Sequence, residues 1–166
     1  MVIDDVQQML LRAPPAGAVG IHRVLVAFDG SPGAWAALGR GIEVAVSNRA
    51  LLTIAAVAEE PPAVWLGFGA MCLPYTRDMI RQQAESAMRR LLAAARDEVP
   101  ATVSVTTRLL HGRPARVLAA LAEEGRYDLV VTGPRPVGRL GRMLRRSVTH
   151  GVLSRTHTSV LAVKAA

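Results

Sequence analysis

Two clusters of residue types in this chain could do chemistry, and both sit where an apolar run stops. The larger is the bend Gly133–Arg146, which follows the apolar run Asp128–Thr132 and leads into a helical pattern; it carries Arg135, Arg139, Arg142, Arg145 and Arg146. A strand that ends in a glycine loop and feeds a helix presents backbone N–H groups to an anion. Arginines add forked, charge-assisted donors that match phosphate oxygens. The smaller cluster is Asp29-Gly30-Ser31-Pro32, closing the run Arg23–Phe28. Ser31 before Pro32 suits a helix N-cap and first helical residue. Asp29 is then a carboxylate at the end of a buried strand, placed either to cap the turn or to meet a ligand.

Other chemistries lack their residues. No G-x4-G-K-[S/T] run exists, so there is no P-loop. Ser31 sits on a strand-to-helix turn, but the G-x-S-x-G of a nucleophile elbow is absent. His22, His111, His150 and His157 are dispersed, Cys72 is near none of them, and no metal site is expected. Glu59 and Glu60 are adjacent and would point apart on an extended strand end, a poor pair for acid–base work. The sequence predicts no enzyme, with slow nucleotide hydrolysis conditional on a metal joining Asp29 and bound phosphates.

Composition narrows the class. At 166 residues, about half apolar and a fifth charged, the chain is one globular domain with a substantial core. The longest apolar run, Leu51–Ala58, is strand-sized, so no membrane span is expected. A single cysteine and an acidic N-terminus without a basic leader point to the cytoplasm. The net charge of +7 invites a nucleic-acid reading. The scattered aromatics build no stacking platform and no DNA-binding motif is present, so nucleic acid ranks below nucleotide or a solvated surface.

The elements that must position the two clusters alternate. Residues 1–20 form an N-terminal extension, with Val2, Val6, Met9 and Leu10 at helical spacing before a linker-like APPAGAVG. Strands are expected at Arg23–Phe28, Leu51–Val57, Thr102–Leu109, Asp128–Thr132 and Ser159–Lys164. Helices fall between them. The first has Trp35, Leu38, Ile42 and Ala45 on one face and Gly39 and Gly41 as weak points. The second runs Arg77–Val99, the third follows Pro114, and the last carries Val148–Leu153. The long stretch between Glu59 and Arg77 places Trp65, Leu66 and Phe68 as a lid on the core. Such alternation predicts an α/β fold with a parallel sheet covered on both sides. Ligands of such sheets sit beyond the strands' carboxyl ends where strand order reverses. If the first and fourth strands are neighbours, Asp29 and the arginine bend share one crevice.

The segments VLVAFDGSPGAWAAL, LLHGRPARVLAALAEEGRYDLVVTG and SVTHGVLSRTHTSVLAV, in this order, resemble the universal stress protein family over residues 21–166. The resemblance implies a single open five-stranded parallel sheet of order 3-2-1-4-5, Rossmann-like and of the adenine nucleotide alpha hydrolase type. It also implies a homodimer joined through the last strand, Ser159–Lys164, and a role in stress response. Members that bind ATP carry G-x2-G-x9-G-[S/T] after the fourth strand. Laid on that motif without a gap, Gly133 matches the first glycine and Ser147 the closing serine, whereas Pro136 and Arg146 stand where glycines belong. Proline removes a donor and fixes φ, and a long side chain obstructs close approach to phosphate. The resemblance thus implies a non-enzymatic binding or regulatory module with a degenerate or weak adenine-nucleotide site, magnesium entering only with the nucleotide. Its residues would be Ala27, Asp29 and Ser31 from the first strand and turn, Val57 toward adenine, and Thr132, Gly133, Arg135, Pro136, Arg146, Ser147 and Val148 toward the phosphates. The alternatives are an ATP-binding switch in which arginines replace the glycines, and a nucleic-acid binder using the arginine bend.

Overall fold

The computed structural model describes residues 20–59, 74–133 and 148–164. In chain order these form β1 (Arg23–Ala27), α1 (Pro32–Asn48), β2 (Leu51–Ala58), α2 (Pro74–Asp97), β3 (Val105–His111), α3 (Pro114–Glu124), β4 (Leu129–Thr132), α4 (Val148–Leu153) and β5 (Ser159–Ala162). The strands make one sheet of order β3-β2-β1-β4-β5, parallel throughout. The N-terminal extension and the Trp65–Phe68 lid fall outside the described residues.

β1 and β4 are buried on both faces because helices cover both sides of the sheet. Val24, Val26, Leu52, Ile54 and Val131 pack under α1 and α2 through Leu38, Ala45, Leu92 and Ala95. The opposite face sets Leu25, Ala55 and Val130 against Leu118 and Ala122 of α3 and Val152 of α4. The winding reverses between β1 and β4, the neighbours from which strands are added outward in the two directions.

Gly39 and Gly41 in the middle of α1 differ. A β-carbon on Gly41 would collide with Val26 on β1, so that glycine sets the helix–sheet distance; one on Gly39 would meet nothing within 4 Å. Only Gly39 is the weak point its sequence suggests. Trp35 sits at the rim, edge-on to Phe28 with ring centroids 4.8 Å apart. At the amino end of the sheet, the Asp128 carboxylate accepts from the His22 and Arg23 N–H groups at 2.8 and 2.9 Å, tying β4 to β1.

All five strand bounds shift by one to three residues, β2 running on to Ala58 and β4 starting at Leu129. The third strand begins at Val105 rather than Thr102 and runs on to His111, because the Val103 N–H turns back to the Pro100 carbonyl at 2.9 Å. Regular pairing of the first strand stops at Ala27, although the Phe28 N–H still reaches Ala55. The last strand closes at Ala162, with the Val163 N–H bonded to Thr132 at 2.8 Å. No helix among the described residues is long and apolar enough to cross a membrane.

Candidate functional site

The carboxyl ends of β1 and β4 lie side by side, with Val26 opposite Val131. Past Ala27 the chain leaves the sheet through Phe28 and Asp29. One Asp29 oxygen accepts from the Ser31 N–H at 3.0 Å, a side-chain-closed turn. Gly30 takes φ +77, open to glycine at little cost, and the space a β-carbon would need there is bordered by Leu91 of α2 at 3.1 Å. Ser31 then caps α1, its hydroxyl accepting from the Ala34 N–H at 3.2 Å, with Pro32 at the helix start.

On the neighbouring strand, Thr132 is a buried polar residue whose hydroxyl bonds the Thr149 hydroxyl in the first turn of α4 at 2.9 Å. Its carbonyl accepts from Val163. Both ends of the bend that separates β4 from α4 are therefore tied together by one hydroxyl pair. Gly133 follows, and here a β-carbon would collide with the Gly33 carbonyl group and sit 2.8 Å from the Ala34 nitrogen. The tip of β4 rests directly on the first turn of α1.

Ala27, Val57 and Val148 are all half-buried against the same cluster, the one beneath α3 and α4. Val57 lies level with Leu110 near the end of β2. The fold thus gathers Ala27, Asp29, Ser31, Thr132 and Gly133 at two adjacent strand tips, with Val57 one strand away and Val148 at the start of α4. Arg135, Pro136, Arg146 and Ser147 lie outside the described residues. Sequence reasoning missed Gly33 and Thr149. Small residues in the first turns of the two flanking helices were their only trace.

A phosphate cradle needs glycines whose bare faces turn toward open space. The missing side chain of Gly133 is accounted for by the Gly33 backbone, and that of Gly30 by Leu91. A carboxylate at the β1 tip and the backbone of Val57 suit the hydroxyl and amide-like edges of a nucleoside. Among the described residues no three His, Cys, Asp or Glu side chains converge on a metal position.

Elsewhere, Glu123 at the end of α3 accepts from the Thr156 hydroxyl at 2.7 Å and the His157 N–H at 2.6 Å, steadying the turn into β5. The Thr156 hydroxyl first, and then the His157 N–H, hold its carboxyl below the ordinary glutamate range.

Comparison with known proteins gives one consistent result. The sequence model of the universal stress protein family matches residues 20–164. Universal stress protein YxiE of Bacillus subtilis is 28% identical over 146 residues, covering 86% of this chain and 99% of the relative. A universal stress protein solved in complex with cAMP superimposes with TM-score 0.65 at 24% identity, covering 87% of this chain and 98% of that one. A family protein from Arabidopsis thaliana solved with AMP bound does so with TM-score 0.60 at 17% identity, covering 87% and 92%.

Proposed function

Because the chain belongs to the universal stress protein family, we propose that it is a non-enzymatic, cytoplasmic stress-response module that holds an adenine nucleotide weakly and by its nucleoside end. Asp29 takes the ribose and the backbone near Val57 takes the adenine, with Ala27 and Thr132 as the walls between. The triphosphate grip is degenerate. Ser31 serves the turn as a cap, and Ser147 and Val148 offer the start of α4 to a single phosphate.

The observation that carries this reading is the contact of Gly133 with Gly33 at the tip of β4, beside the turn after β1 that holds Asp29. The one motif glycine that survives in this part of the chain has its bare face against protein. The two others are replaced by Pro136 and Arg146. Relatives solved with AMP and with cAMP fit a ligand carrying a single phosphate. Assembly as a homodimer through the outer edge of β5, Ser159–Ala162, belongs to the same reading; that edge carries the half-buried Val160 and Leu161.

Equilibrium dialysis with labelled AMP and with labelled ATP plus magnesium tests it. The expected result is binding weaker than micromolar, with ATP favoured over AMP by less than about tenfold, or ~1.4 kcal/mol. Saturable micromolar binding of ATP, far tighter than AMP, would reject the degenerate-grip reading in favour of arginines acting as phosphate donors. Phosphate release above the rate without protein would reject the non-enzymatic part.

A further inference from the structure

β3 ends the sheet on one side, and its register shows which of its backbone groups are spare. The Leu52 N–H bonds the Ser104 carbonyl at 3.0 Å and the Gly112 N–H bonds the Ala58 carbonyl at 3.2 Å. In a parallel ladder this alternation turns the even-numbered residues toward β2. The N–H and C=O groups of Val105, Thr107, Leu109 and His111 point away from the sheet, and among the described residues no strand pairs with them.

Two grooves run beside that edge, between it and α2. One of about 270 Å³ is lined by Arg89, Leu92, Arg96, Asp97, Thr107 and Leu109. The other, about 640 Å³, shares Arg96 and Asp97 and continues along Val99, Pro100, Val103 and Val105. Together they make an open trough that mixes the apolar side chains of Leu92, Leu109, Val103 and Val105 with Thr107 and the charged residues of α2. Its wall holds Arg89 and Arg96, two helical turns apart on α2, with the carboxylate of Asp97; Glu85 stands farther along, beside His111 and paired with Arg81.

We infer that this trough takes an extended acidic peptide segment of a partner protein, which adds to β3 as a sixth strand. The odd-numbered backbone groups supply the ladder, and alternate carboxylates of the peptide meet Arg89 and Arg96. Charge selects this occupant over a second copy of the chain. A two-fold contact would set the same basic wall against itself, and like charges in register repel. The exposed Arg108 on the strand discourages indiscriminate pairing while leaving an acidic strand welcome.

The test uses the full chain and a fluorescein-labelled peptide of about nine residues alternating valine and glutamate, long enough to span the strand. Its control alternates valine and lysine. Anisotropy should show saturable micromolar binding of the acidic peptide and at least about tenfold weaker binding of the basic one. Arg89→Glu with Arg96→Glu should invert that preference. Thr107→Pro removes an outward N–H without touching the ladder to β2, so it should abolish binding while the melting temperature stays within a few degrees of wild type. Amide exchange at Thr107 and Leu109 should slow on binding, with Thr106 and Arg108 unchanged. Absence of saturable binding, equal binding of both peptides, or binding that survives Thr107→Pro would overturn the inference. So would conversion of a dimer to a monomer by Thr107→Pro, which would make a second copy the occupant.

Discussion

Gly133 at the end of β4 and Gly33 in the first turn of α1 meet backbone to backbone, a hundred residues apart in the chain. A side chain of any size on Gly133 would push against the Gly33 carbonyl group. The glycine that a family motif assigns to phosphate is thus needed here by the fold itself. Gly133→Ala should lower stability by about 1–3 kcal/mol through overpacking, with or without nucleotide. Thermal unfolding checks this, and a melting temperature equal to wild type would remove the packing role. Gly39→Ala is the control: its β-carbon enters open space, and it should stabilise by up to about 1 kcal/mol through helix propensity.

Restoring the two lost glycines should rebuild ATP affinity if the proposed site is correctly placed. Pro136→Gly with Arg146→Gly is expected to tighten ATP by about tenfold while leaving AMP nearly unchanged. Asp29→Ala should weaken both ligands, having lost the carboxylate proposed for ribose. Titration calorimetry on the three proteins distinguishes these cases. If neither change moves affinity, the crevice between β1 and β4 is not where nucleotide binds.

The hydroxyl pair of Thr132 and Thr149 gives a double-mutant cycle. Thr132 is 2% exposed, so Thr149→Val strands a buried hydroxyl and should cost about 1–3 kcal/mol, while Thr132→Val leaves only the half-buried Thr149 hydroxyl and should cost less. The double valine variant should cost clearly less than the two single effects added together. Chemical denaturation supplies the numbers, and strict additivity would show that the 2.9 Å contact contributes no coupling.

Glu123 predicts a pH dependence of known sign. Its carboxyl titrates below the ordinary glutamate range because the Thr156 hydroxyl and the His157 N–H bind the ionised form. A depressed folded-state value means stabilisation that is complete above the unfolded-state pKa and is lost as pH falls through the folded one. The stability gap between wild type and Glu123→Gln should be widest near neutral pH and should close on acidification. A gap that stays constant across that acid range would rule out the linkage.

The element order was readable because apolar runs and helical periodicity are local signals. The sheet order rested on the family resemblance, since nothing within RVLVAF or YDLVV states that those strands are neighbours. The β-branched run TVSVTTRL predicts a third strand starting three residues early, while the turn at Pro100 claims its first residues. Gly39 and Gly41 look alike in sequence and differ only in what stands opposite them. The contact of Gly133 with Gly33 and the link from Thr132 to Thr149 arise from chain segments brought together by the sheet. No windowed reading could find them. Arg135, Arg139, Arg142, Arg145 and Arg146 lie outside the described residues.

The clasp in which Asp128 holds the N–H groups of His22 and Arg23 spans 106 and 105 residues of chain. During synthesis the first three strands can pair as soon as His111 clears the ribosome, but the middle of the finished sheet then stands as a raw border. It stays so until Leu129–Thr132 emerges to cover it. A nascent or truncated chain stopped in that interval presents an apolar ribbon to its neighbours, and it is there that chaperone capture and aggregation should concentrate.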